Sequence, residues 1–223
     1  VIGLKPSYGS VSRYGLVAFA SSLDQVGPLG RSAEDCELIF NTMHGEDPKD
    51  STSISYSPSS HRGVLRIGVV KEFFSASSDV NFKNFYKQRL DSLAELQDVE
   101  VTEVSLPSFK HCLPVYYILS SAEASSNLAR YDSIRYGPVL SENNDLLETY
   151  LRNREKGFGK EVKRRILLGT YVLSEGYFDA YYKKAQRIRS LLKFEFENIM
   201  NTVDVLIGPT TPSTAFSIGD RND

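Results

Sequence analysis

The stretch VLRIGVV, residues 64–70, decides the fold class. Five of its seven residues are Val, Leu or Ile, with no polar alternation. A short apolar run of this kind reads as a strand buried on both faces, as parallel sheets require. Downstream, Phe82, Phe85, Tyr86, Leu90 and Leu93 recur at helical spacing, and VEVTEVSL at 99–106 alternates like a strand. Strand, helix and strand in this rhythm form a βαβ unit, so the expected class is α/β.

Toward the N-terminus, Ser32 is placed as a helix N-cap, followed by the acids Glu34 and Asp35. Cys36, Ile39, Phe40 and Met43 extend the pattern into an amphipathic helix over 32–44, which Gly45 ends. Residues 46–64 read as a surface loop. Residues 1–31 are rich in Gly and Ser, with one β-like run at Leu16–Ala20. GLKPSYG (3–9) and SLDQVGPLGR (22–31) pack Gly, Pro, Ser and charged residues between short apolar runs and read as a tight turn connecting two strands. Asp24 fits a turn-stabilising carboxylate, with a catalytic acid as the alternative.

Toward the C-terminus, Pro114 suits the first turn of a helix running to about Arg130. Residues 158–201 read as helix, with breaks at Gly169 and at Ser174–Gly176. Phe178, Tyr181, Ala185, Ile188, Leu192, Phe196 and Ile199 make a long apolar stripe. VDVLIGP at 203–209 is a last strand, entering a Pro/Thr turn. The architecture is α/β with a helical segment between strands, without internal repeats.

The 223 residues suit one large domain or two small ones. A net charge of -2 argues against a chain that binds nucleic acid or membrane along its whole surface. Cys36 and Cys112 are far apart and lack metal-ligand spacing, so free thiols in a reducing compartment are expected. No apolar run approaches the ~18 residues of a membrane span. No leader is visible before Val1, where the chain opens on an apolar Val-Ile pair suited to a sheet.

The sequence has no G-x-S-x-G, no phosphate loop, no H-E-x-x-H and no Cys/His cluster. His44, His61 and His111 stand alone and read as surface or loop residues. No metal site is expected. Arg165 lies one helical turn from Val162 and Gly169 and beside Ile166, on an apolar stripe. An arginine so placed needs an anionic partner, which a structural salt bridge or a bound carboxylate would supply. Tyr116 reads equally as a core residue or as a pocket residue. Ser120, Ser121, Ala122, Ala124, Ser125 and Ser126 form a run of small residues that lets another element come close. Lys183, Lys184, Arg187, Arg189 and Lys193 read as a solvated basic helix face, with tRNA contact as the alternative.

Four blocks carry a family resemblance: residues 1–35, SSAEASSNLARYDSIRYG (120–137), GFGKEVKRRILLGTYVLSEGYFDAYYKKAQRIR (157–189) and VDVLIGPTTPSTAF (203–216). Together they resemble the amidase signature family, and within it the A subunits of glutamyl-tRNA(Gln) amidotransferases. The resemblance implies a mixed sheet wrapped by helices and a Ser–cis-Ser–Lys triad. The nucleophilic Ser attacks the amide of glutamine and releases ammonia, and water clears the acyl-enzyme. It also implies partners. A B subunit, with ATP and Mg, would activate Glu-tRNA(Gln) and receive the ammonia, and a small C subunit would tie A to B. This chain itself would hold no cofactor.

The family's Gly-Gly-Ser-Ser-Gly-Gly and Gly-Gly-Ser-Ile-Arg motifs are absent from these 223 residues, and Lys5 does not match the triad Lys. The expectation is a partial amidase domain over 1–223. It would contain no catalytic residue, with the triad upstream of Val1 and an acidic substrate ligand beyond Asp223. In the resemblance Arg165 holds the α-carboxylate of glutamine, and Tyr116 lines the same pocket. The alternatives are a non-catalytic scaffold with the amidase shape and an amidase for another small amide. A bacterial cytoplasm and a mitochondrial or plastid matrix both fit.

Overall fold

A computed structural model describes residues 1–57, 63–75, 80–140, 145–211 and 215–220. His61 lies outside them. The chain divides into two units: Val1–Ser59 with Tyr116–Ala185, and Ser60–Val115 with Gln186–Asp223.

The second unit is built on β3 (Leu65–Val70), the strand read from VLRIGVV. It pairs in parallel with β4 (Val99–Val104) on one side and β5 (Val205–Ile207) on the other. The crossover between β3 and β4 carries α2 (Lys71–Ser75) and α3 (Val80–Ala94), so the βαβ unit is present. Ile67 and Val70 are buried, as a central parallel strand demands. At Gly68 a Cβ would stand 2.7 Å from the Leu206 side chain, which explains the glycine in an otherwise bulky strand. Arg66 fixes the entry of β5, its guanidinium gripping Asp204 through Nη2 to Oδ1 at 2.7 Å and Nε to Oδ2 at 3.1 Å. Glu72 accepts a hydrogen bond from the Leu106 amide at 2.8 Å, and Leu106 is fully buried. A 3-10 turn, Pro107–His111, follows and includes His111. There the Ser108 amide and hydroxyl both donate to Glu195 on α7 (Lys184–Met200).

In the first unit, β1 (Ile2–Gly3) pairs antiparallel with β2 (Leu29–Gly30). The opening block therefore joins two strands, as read, but through a long loop rather than one tight turn. The Leu16–Ala20 run is not a strand. The Phe19 and Ala20 amides donate to the Asp24 carboxylate at 2.8 and 3.1 Å, leaving no ladder to form. Asp24 is thus the turn-stabilising acid of the first reading. Helix α1 (Ala33–Met43) starts at Ser32, which exchanges hydrogen bonds with Asp35 in a capping box. Cys36 and Phe40 are its buried residues, and His44 packs with Phe40 and Tyr56 at centroid distances of 5.2 Å. Both cysteines are free thiols.

That unit also holds α4 (Cys112–Leu128, of which Tyr116 onward belongs here), α5 (Leu146–Gly157) and α6 (Lys160–Leu173). The expected break at Gly169 does not occur, and α6 runs through it. The glycine answers a packing demand: a Cβ there would lie 2.0 Å from the Ser121 carbonyl oxygen and 2.7 Å from the Ser125 Cβ. The small-residue run on α4 lets α6 close to backbone contact, with Ser120, Ser121, Ala122 and Ala124 all at most 1% exposed. The Ser125 and Thr170 hydroxyls share a 2.9 Å hydrogen bond beside that contact. Glu123 and Asn127 face the opening block. Glu123 accepts from the Ser22 amide at 2.9 Å, and Asn127 donates to the Phe19 carbonyl at 3.1 Å.

The break at Ser174–Gly176 is present, with Ser174 the C-cap of α6 and Gly176 at φ +84°. A π-helical turn, Asp179–Lys183, then leads into α7. Helix α5 went unread in the sequence, although Asp145 caps it by accepting from the Leu147 amide at 3.0 Å. From α5, Arg154 donates to the Leu128 and Tyr131 carbonyls at 3.1 and 2.9 Å, covering the open end of α4. In the following loop Ser133 sits at φ +65°, held by buried Asp132, which accepts from the amides of Ile134 and Arg135 at 3.0 Å. Those two backbone bonds hold the Asp132 carboxyl at about 2, below its ordinary 3.8.

Two outcomes are expected. In an exposed helix, Gly→Ala adds up to ~1 kcal/mol of stability, whereas overpacking costs about 1–3 kcal/mol. Gly169→Ala should therefore lower the Tm, and an unchanged or raised Tm in thermal melts would contradict the α4–α6 contact. A lowered carboxyl pKa contributes stability above the unfolded value and loses it as pH falls through the folded value. The Asp132 contribution should be complete above 3.8 and vanish on the way down to about 2. Melts of Asp132→Asn across that window should show a shallower acid limb than the parent protein.

Candidate functional site

Arg165 projects from α6 one turn before Gly169, and Tyr116 and Tyr117 lie about one turn before Ser121 on α4. The close crossing at Gly169 therefore brings these three side chains together. The Arg165 side chain is 16% exposed. Its guanidinium carbon lies 5.0 Å from the Tyr117 ring centre and 5.8 Å from that of Tyr116. Cation–π contact on this scale orients the plane of the guanidinium. The Tyr116 hydroxyl accepts a long 3.5 Å hydrogen bond from Arg165 Nη1.

The anionic partner is Glu161, four residues earlier on the same helix. Arg165 Nε donates to Glu161 Oε1 at 2.8 Å. Glu161 is shared, because Arg164 forks onto both of its oxygens, Nε to Oε2 and Nη2 to Oε1, each at 2.8 Å. These hydrogen bonds, from Arg164 first and Arg165 second, hold the Glu161 carboxyl at about 2, far below its ordinary range. The hydrogen bond to Glu161 also raises the pKa of Arg165. Two guanidinium groups against one carboxylate leave the cluster one positive charge in excess. Arg165 Nη2 makes no hydrogen bond among the described residues. The arrangement is a half-buried, oriented guanidinium with net positive charge and one terminal nitrogen without a hydrogen bond among the described residues, chemistry that suits a planar carboxylate.

The structure thus brings Arg165 and Tyr116 together and adds three residues the sequence reading did not name: Glu161, Arg164 and Tyr117. The spacing i, i+3 and i, i+4 on one helix was the available signal for Glu161. Tyr117 carried none, since its placement depends on the helix crossing. The other singled-out groups lie elsewhere. Lys5 donates to the Pro6 carbonyl at 3.0 Å and to Gln25 at 3.2 Å. The basic residues of 183–193 are exposed, with Lys183 paired to Asp179 at 2.7 Å and Lys193 to Glu197 at 3.6 Å. Among the described residues no group of three or more His, Cys, Asp or Glu is placed to hold a metal ion. No described helix is long and apolar enough to cross a membrane.

The chain is 52% identical over 229 residues to the A subunit of the glutamyl-tRNA(Gln) amidotransferase of Thermoanaerobacter pseudethanolicus, aligning 99% of this chain and 46% of that protein. Against the protein of the same name from Caldanaerobacter subterraneus the identity is 51%, over 100% of this chain and 47% of the relative. The chain spans about half the length of the curated relatives it matches. Among solved structures, the glutamyl-tRNA(Gln) amidotransferase A subunit of Thermotoga maritima superposes with a TM-score of 0.71 at 32% identity, covering 98% of this chain and 44% of that one. The amidase family profile matches residues 1–223, from the first residue to the last, and the chain belongs to the amidase family.

Proposed function

We propose that this chain is part of an A subunit of a glutamyl-tRNA(Gln) amidotransferase, and that its Arg165 cluster holds the α-carboxylate of glutamine. The observation that carries the reading is the guanidinium of Arg165, oriented by Tyr116, Tyr117 and Glu161, with Nη2 making no hydrogen bond among the described residues and one uncompensated positive charge. A carboxylate meets a guanidinium edge with two charged oxygens in two parallel hydrogen bonds, while a neutral amide offers one uncharged acceptor oxygen and binds it more weakly.

In this reading the triad that attacks the side-chain amide belongs to another part of the complete protein. The residues described here bind and orient the substrate. The ammonia passes to a B subunit carrying ATP and Mg, which converts Glu-tRNA(Gln) to Gln-tRNA(Gln), and a C subunit joins the two. Contact with tRNA belongs mainly to the B subunit, in keeping with the solvated basic face of α7. The compartment is a bacterial cytoplasm or an organellar matrix.

The test is steady-state kinetics of glutamine hydrolysis by the complete protein. Arg165→Ala should raise the glutamine KM by an amount equivalent to about 2–4 kcal/mol, the range for losing a charge-assisted pair. Tyr116→Phe should have a smaller effect, because a 3.5 Å hydrogen bond is weak. An unchanged KM in Arg165→Ala would end the substrate assignment. A complete protein without any glutaminase activity would favour a scaffold instead.

A further inference from the structure

The Arg165 guanidinium has two edges that can receive a carboxylate. One is the side edge that includes Nε, and the other is the end formed by Nη1 and Nη2. Glu161 already occupies Nε at 2.8 Å. Only the end remains, and there Tyr116 takes a single long hydrogen bond from Nη1. Glu161 is itself prevented from turning wholly toward Arg165, because Arg164 claims both of its oxygens.

From this geometry we infer that Glu161 and Arg164 are positioning residues, which act through Arg165 to present its Nη1–Nη2 end to the substrate carboxylate. The inference rests on the carboxylate-binding reading of Arg165 and adds to it the device that aims the group.

Each member has a separate task. An arginine on a flexible stem loses rotamer freedom when it grips a ligand, and a tether that has already fixed it removes that cost from binding. Glu161 is the tether. A carboxylate beside a cation would also neutralise it and repel an incoming anion. Arg164 offsets that by supplying the second positive charge. Without Arg164, Glu161 and Arg165 would form a closed neutral pair. Without Glu161, Arg165 would keep its charge and lose its aim, with Tyr117 left to orient the plane alone. A purely stabilising role explains the arrangement less well. Glu161 is 58% exposed and Arg164 60% exposed, and ion pairs this open contribute little to stability.

The test compares variants in the complete protein, with glutamine and with a small aliphatic amide that lacks an α-carboxylate. Glu161→Gln should raise the glutamine KM about 3- to 10-fold, the scale of ordering one long side chain, with kcat within about 2-fold. Arg164→Gln should raise it on a similar scale. Neither substitution should alter hydrolysis of the carboxylate-free amide. The double variant Glu161→Gln with Arg165→Ala should match Arg165→Ala alone, because the tether has nothing left to aim. Thermal melts of Arg164→Gln should stay near the parent, as the exposed Glu161–Arg164 pair predicts.

Three results would overturn the inference. The first is a glutamine KM unchanged in Glu161→Gln. The second is an equal loss on the carboxylate-free amide. The third is a further loss when Glu161→Gln is added to Arg165→Ala. If Arg165→Ala raises KM while Glu161→Gln is silent, the positioning role alone fails. If Arg165→Ala is silent, or the complete protein hydrolyses no glutamine, the carboxylate reading fails and this inference falls with it.

Discussion

The first unit depends on a single close approach, where Gly169 of α6 meets the Ser121 carbonyl of α4. Helix axes are normally held apart by side chains at the contact. Here one helix presents a hydrogen and the other a run of Ser and Ala, so the backbones themselves touch. Everything one turn away is positioned by that fact. Arg165 reaches the rings of Tyr116 and Tyr117 because the two helices are already close. On the other side, Thr170 reaches Ser125. The contact has a cost: the Ser120 and Ser121 hydroxyls are buried without a hydrogen-bond partner among the described residues. Their value lies in being small, and the dispersion gained by two apposed helices offsets the desolvation.

The second unit follows a different logic. Its order comes from the continuous apolar run of β3, which can be satisfied only by strands on both sides and cover on both faces. Polar side chains then fix the joints where the chain leaves or enters the sheet. Glu72 ties Leu106 beyond β4, Glu195 ties Ser108 of the 3-10 turn, and Asp204, just before β5, ties Arg66 of β3. Each is a carboxylate accepting a backbone amide.

Most of the secondary structure was legible in the sequence because it rests on local patterning. The α1 cap, the βαβ unit and the last strand are written in residues close together in the chain. The errors share a cause. Leu16–Ala20 has strand-like composition, yet the Asp24 carboxylate takes its amides. Gly169 looks like a helix breaker and is a contact residue, because helix propensity yields to a tertiary demand for space. The candidate site was legible in part. Arg165 and Tyr116 came from family resemblance, and the structure brings them together. Glu161 and Arg164 were readable from helical spacing and went unread, while Tyr117 becomes meaningful only once the helices cross.

The pairing of Arg66 with Asp204 joins residues 138 positions apart. On a ribosome, β3, α3 and β4 are all synthesised before the strand that completes their sheet. Until Val205 and its neighbours emerge, one flank of β3 offers unpaired amides and carbonyls to any extended chain nearby. Long-range parallel pairing of this kind is slow to form, since a large loop must close before any contact rewards it. The guanidinium–carboxylate grip at the entrance of β5 offers that late strand a charged landmark. It favours one register among several that the short apolar segment Val205–Ile207 could otherwise adopt.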